Sequence, residues 1–152
     1  MSTTRRVDGG AFEEVCSEAI VGLESFRVEL RGGSVTYRKA DRIIRKLPHA
    51  KPDYESLAMQ GSAYYIVDDG RHLIEVELRD EPVRLSCRFT LCHPSSVDSV
   101  FLELVRELML RLSMEAKICD DVLPAHRDCF TLDHYAELSG VISRSIAARR
   151  KE

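Results

Sequence analysis

The densest collection of chemically capable side chains is Cys119, Asp120, Asp121, His126, Asp128, Cys129, Asp133 and His134, all within sixteen residues. A structural zinc ion needs four nitrogen or sulfur ligands converging tetrahedrally, and His126-x2-Cys129 has a knuckle-like separation. The other gaps, Cys119-x6-His126 and Cys129-x4-His134, match no common site, so we expect no metal and no other cofactor. Asp133 also suits a helix start, and Asp120-Asp121 the end of a strand. A second group, Cys92-His93, stands just before a helix start, where the positive end of a helix dipole can lower a thiol pKa or hold an anion. No base with a fixed relation to Cys92 can be named, so the pair reads as ordinary loop residues.

The third feature is electrostatic. Residues 38 to 51 carry Arg38, Lys39, Arg42, Arg45, Lys46 and Lys51 against Asp41 alone, a local charge of +5 in a chain whose net charge is −3. Such a cluster suits an anion, an acidic protein partner or nucleic acid. Only Tyr37 is close enough to supply a stacking ring, so binding to nucleic acid should be weak and salt-sensitive. Glu75 and Glu77 lie at strand spacing and face Arg84 and Arg88 across a turn, which implies cross-strand charge pairing rather than a catalytic carboxylate pair. No GxSxG, HExxH, Walker-type or GxGxxG pattern is present. We therefore assign no catalytic residue.

Hydrophobic periodicity supplies the elements that would position these groups. Phe12, Val15, Cys16, Ala19, Ile20 and Leu23 form an amphipathic helical stripe over 11 to 23. The period then changes to two. Phe26, Val28 and Leu30 alternate with charged residues, Gly32-Gly33 offers a turn, and Val35 and Tyr37 resume the alternation, predicting strands 25 to 31 and 34 to 38. Ala40, Ile43, Ile44 and Leu47 suggest a short basic helix ending before Pro48. A second hairpin, 62 to 67 with 72 to 79, turns at Asp69-Gly70. Pairing Asp68 with Arg71 there sets Tyr65 opposite Ile74 and Val67 opposite His72. Strand 83 to 92 completes a three-stranded meander, with Cys87 and Phe89 on its apolar face and Arg84, Arg88 and Thr90 on its wet face. Ser95 and Asp98 resemble a capping box that starts a helix from 95 to 117. A strand near 116 to 122 and a helix over 132 to 149, with Thr131 as N-cap, follow.

The long helix carries more apolar surface than one sheet can cover. Beyond its main stripe, Leu102, Met109, Leu110 and Met114 spread around the remaining circumference, and we expect them to bind a partner or a second copy of the chain. Composition agrees with a globular protein: 152 residues, 44% hydrophobic and 31% charged. Residues 1–10 read as a flexible start and 11–152 as one domain. No segment is apolar enough to span a membrane, and five cysteines at irregular spacing suggest reduced thiols in a cytoplasm.

The expected fold is α+β, an antiparallel sheet of five to six strands, built from a hairpin and a three-stranded meander, packed against a long helix and N- and C-terminal helices. The order of elements is similar to that of small secretion chaperones and immunity-type proteins, a likeness that implies protein binding and assigns no residue. The expected function is a non-enzymatic protein-binding module, an adaptor, chaperone or inhibitor, acting as a homodimer. The alternatives are a small enzyme or ligand-binding protein with a pocket near residues 119–134, and a nucleic-acid-binding regulator using 38–51.

Overall fold

The computed structural model describes residues 25–53, 62–119 and 129–150. The predicted helix over 11 to 23 lies outside them. In chain order the elements are β1 (Ser25–Arg31), α1 (Tyr37–Arg45), β2 (Ala50–Pro52), β3 (Ser62–Asp68), β4 (Leu73–Arg79), β5 (Arg84–Thr90), α2 (Val97–Leu112), β6 (Glu115–Ile118), a 3₁₀ turn (Leu132–His134) and α3 (Tyr135–Arg150). The strands form one antiparallel sheet in the order β2-β3-β4-β5-β1-β6. The fold is α+β, as the periodicity predicts.

Period-two alternation decides which face of the sheet is covered. Phe26, Val28, Leu30, Tyr65, Val67, Ile74, Val76, Leu78, Leu85, Cys87 and Phe89 all point into one core. The helices contribute Ala40 and Ile44 from α1, Phe101, Val105 and Leu108 from α2, and Leu138, Ile142 and Ile146 from α3. Phe26, Phe89 and Phe101 meet at its centre, with ring centroids 4.8 to 6.3 Å apart. On the opposite face Arg88 of β5 pairs with Glu75 of β4, as its register partner. Glu77 pairs instead with Arg79 of its own strand, and Arg84 donates to the Pro82 carbonyl.

Four local expectations are corrected. First, no strand forms over 34 to 38, because β5 and β6 occupy both edges of β1 and leave it no free edge. The chain enters α1 instead, and the Thr36 hydroxyl caps it by accepting the Lys39 N–H at 3.1 Å. Gly33, at φ +75°, packs so closely on the end of α2 that a Cβ would lie 2.8 Å from the Ser113 carbonyl oxygen. Second, β3 pairs with β4 two residues further along, Asp68 with Leu73 and Val67 with Ile74, which preserves the parity and lengthens the loop. The cause is Asp69, whose Oδ1 accepts the N–H groups of Arg71 and His72 and turns the chain through its own side chain. Third, α2 spans Val97–Leu112 rather than 95 to 117. Ser113 adopts a left-handed conformation (φ 54°) and the chain reverses into β6. The residue at the N-cap is Ser96, not Ser95, and its side chain makes no capping bond. Fourth, Thr131 precedes the 3₁₀ turn but makes no capping bond through its hydroxyl, which meets His134 Nδ1.

The parity yields a direct test. Phe89→Ala should cost about 3–5 kcal/mol in a denaturant melt, as expected for truncation of a buried Phe. Arg88→Ala, on the exposed ion pair of the other face, should cost no more than about 1 kcal/mol. Similar costs for the two would refute the assignment of faces.

Candidate functional site

The most highly organised polar group joins the β3–β4 loop to the start of α2. Two turns bring it together: Asp69 folds the loop so that His72 leaves the ladder, and the β5–α2 junction presents His93 and Ser96 beside it. His72 is 7% exposed. Its Nδ1 lies 3.0 Å from Asp69 Oδ2 and its Nε2 lies 2.6 Å from the hydroxyl of Ser96, which is itself exposed. Burial alone would disfavour the Asp69 carboxylate. The hydrogen bonds from the His72 ring and from the backbone N–H groups of Arg71 and His72 outweigh that effect and hold its pKa below the usual carboxylate range.

His93 is the second buried histidine of this corner. Its Nε2 accepts the backbone N–H of Leu73 at 3.0 Å, so that nitrogen carries no proton. Nδ1 must then hold the proton, and it lies 3.1 Å from the Thr90 carbonyl oxygen and 3.0 Å from the Thr90 hydroxyl. This bonding pattern requires a neutral ring. Burial lowers the pKa accordingly, and the nearby Arg150 guanidinium adds to the effect against the opposing pull of Thr90 and Glu75. Arg150, from the end of α3, reaches the same corner and donates to Asp98 Oδ2 at 2.8 Å. Sequence reading missed this group because His72 was assigned to a strand. The signal available was Asp69-x2-His72, an Asx-turn spacing that places an imidazole back over the carboxylate.

The second organised surface is α1. Arg38, Lys39, Arg42, Arg45 and Lys46 are all exposed, while Ala40 and Ile44 are buried on the opposite side of the helix. The positions 38, 42, 45 and 46 follow helical spacing and form one continuous cationic stripe. The only acid on the helix, Asp41, is drawn inward. It accepts from the hydroxyl of the core residue Tyr65 and from Arg45 Nε, the latter at 3.0 Å. Burial, reinforced by the Asp41 carboxylate, pushes the Tyr65 hydroxyl pKa upward and keeps it a donor. Arg38, Lys39, Arg42 and Lys46 make no ion pair among the described residues. Tyr37 is half-buried against the core and is not presented as a stacking ring.

The remaining candidates are dispersed. Met109 and Met114 are buried within the chain, Leu102 is partly covered, and Leu110 is 54% exposed. The partner surface expected on α2 is therefore largely internal, because α1 and α3 flank the helix that lies on the sheet. Met109, Ser113, Met114, Glu115, Thr131, Leu132 and Asp133 line an open depression of about 280 Å³. Of the sixteen-residue cluster, Asp120, Asp121, His126 and Asp128 lie outside the described residues. Cys119 and Cys129 are free thiols, and Arg31 donates to Cys129 Sγ at 3.2 Å. No group of three or more His, Cys, Asp or Glu able to hold a metal ion occurs among the described residues. Cys92 is disulfide-bonded, which corrects the expectation that every thiol is reduced and removes it as a nucleophile. No helix among the described residues is long and apolar enough to cross a membrane.

Two measurements follow from this geometry. Because the folded-state pKa of His93 lies below its unfolded value, the unfolded chain binds more protons under mild acid. Stability should be complete above about pH 6.5 and fall as pH drops below it. The depressed Asp69 carboxyl adds a separate loss only below about pH 4. His93→Gln should flatten the upper window in melts taken across pH, and an unchanged slope would refute the neutral-ring assignment. Alkylation of the native chain without reductant should label Cys119 and Cys129. It should spare Cys92 and also Cys87, whose fully buried thiol is pushed up to about 12. Compared with family models, curated proteins and solved structures, the chain has no significant match.

Proposed function

We propose that the chain is a protein-binding module, of adaptor, chaperone or inhibitor type, that meets an acidic partner through the cationic stripe of α1. The observation that carries this reading is the inward turn of Asp41. Its bonds to Tyr65 and Arg45 tie down the one acid of the helix and leave Arg38, Lys39 and Arg42, with Lys46 at the C-cap, as exposed cations. Packing through Ala40, Ile44 and Leu47 holds that stripe on the sheet, so an acidic surface would meet a preorganised array. Nucleic acid is the second reading, favoured by the same charge and weakened by the packing of the half-buried Tyr37 against the core, which limits it as a stacking partner. Self-association would use Leu110 and Leu102, since Met109 and Met114 are internal. A cytoplasmic setting is supported by the free thiols of Cys119 and Cys129 and opposed by the disulfide at Cys92.

The test is co-purification from the native cells with a tagged full-length chain, alongside an Arg38→Glu, Arg42→Glu variant. We expect an acidic protein to remain bound at physiological salt and to be lost from the variant, whose melting curve should match the parent. Retention of the same protein by the charge-reversed variant would move the binding surface elsewhere. Recovery of nucleic acid, released by modest salt, would favour the second reading.

A further inference from the structure

Asp69, His72 and Ser96 stand in the order and at the separations of a proton relay. The carboxylate is 3.0 Å from Nδ1, and Nε2 is 2.6 Å from the hydroxyl. Two of the three groups are fixed in place. Asp69 is held by the N–H groups of Arg71 and His72, and the imidazole is buried, so neither is free to rotate away. The third member is the one exposed to solvent. An arrangement serving only to cap α2 would aim the serine hydroxyl at a backbone N–H of the first turn. The Ser96 side chain makes no such bond and is committed to the imidazole.

We propose that Ser96 is a nucleophile, with His72 as its base and Asp69 as the positioning residue, and that it takes an acyl group from small, unhindered esters. In the first step Ser96 Oγ bonds to the ester carbonyl carbon as its proton passes to His72 Nε2. The bond to the leaving oxygen then breaks and that oxygen takes the proton from Nε2, leaving the acyl group on Ser96. A water molecule reverses the sequence: its oxygen bonds to the acyl carbon, its proton passes through Nε2 to Ser96 Oγ, and a carboxylic acid departs. Throughout, Nδ1–H stays donated to Asp69, which fixes the tautomer. Ser96 lies at the start of the 16-residue helix α2, whose dipole favours negative charge developing there. The N–H groups of Val97 and Asp98 are turned back onto the carbonyls of Pro94 and Ser95. The oxyanion thus gains the field of the helix without those two donors, and the class of substrate is narrowed to esters with a good leaving group.

The probe is p-nitrophenyl acetate added to the full chain, followed by absorbance and by mass spectrometry of the intact protein and its peptides. We expect a burst of p-nitrophenol equal to about one per chain and a single acetyl group on Ser96. Ser96→Ala should abolish the burst, and Ser96→Cys should restore it. His72→Gln should slow acylation about 100-fold or more, the usual scale of a lost general base. Asp69→Asn, which keeps the shape of the turn and disturbs the tautomer, should slow acylation while leaving the melting curve close to the parent's. Ser96 is exposed, so its variants test the proposal even if substitutions at His72 disturb the loop. An acetyl group found only on lysines or on Cys119 and Cys129, or a burst unchanged in Ser96→Ala, would overturn it.

Discussion

The position of β1 governs the rest of the molecule. It is the first described strand, yet it lies between β5 and β6 and runs antiparallel to both. β5 and β6 therefore run parallel to each other with a strand between them, and a parallel pair cannot be joined by a hairpin. The connection must return the full length of a strand across the sheet. α2 does so: sixteen residues rise about 24 Å, close to the roughly 23 Å of a seven-residue strand. The same constraint accounts for its composition. A crossover helix with the sheet beneath it and α1 and α3 at its sides is covered over much of its circumference, so Met109 is interior, as is Met114 just beyond the helix end.

The parity of the sheet could be read from sequence because its signal is local and repeated. Each of β1, β3, β4 and β5 carries several alternations, and the parity of one strand is checked by the next, so Cys87 and Phe89 fall on the expected face. The helix α1 was also legible, from Ala40, Ile43, Ile44 and Leu47. What could not be read was anything set by contacts distant in sequence. Val35 and Tyr37 alternate well enough for a strand, but whether β1 has a free edge is decided by β6, more than eighty residues later. The Asp69-Gly70 dipeptide has the composition of a tight turn, and the side chain of Asp69 instead builds a longer one.

The polar corner shows the same limit more sharply. His72 and Ser96 are separated by 24 positions and are joined only because the β3–β4 loop and the start of α2 lie at one end of the sheet. Neither residue belongs to a motif, and the cysteine and histidine cluster at 119 to 134, dense in sequence, assembles no metal-binding group among the described residues. The α1 stripe lies between these cases: its charge was plain in the sequence, while the inward turn of Asp41 depends on Tyr65 and on the packing that places its hydroxyl beneath the helix.

Among the described residues, both margins of the sheet are poor templates for strand addition. On one side β2 is three residues long, ends in Pro52 and displays Lys51. On the other, the outward backbone groups of Ala116 in β6 are already bonded to Phe130, at 2.9 and 2.8 Å. A short margin with a proline and a lysine is a poor template, and a margin whose hydrogen bonds are spent offers none at its centre. Growth of the sheet from one copy into the next, the usual beginning of ordered aggregates, is thereby discouraged at both ends. Contacts with other molecules are left to side chains on the helices and on the charged face, where recognition depends on charge and shape rather than on main-chain pairing.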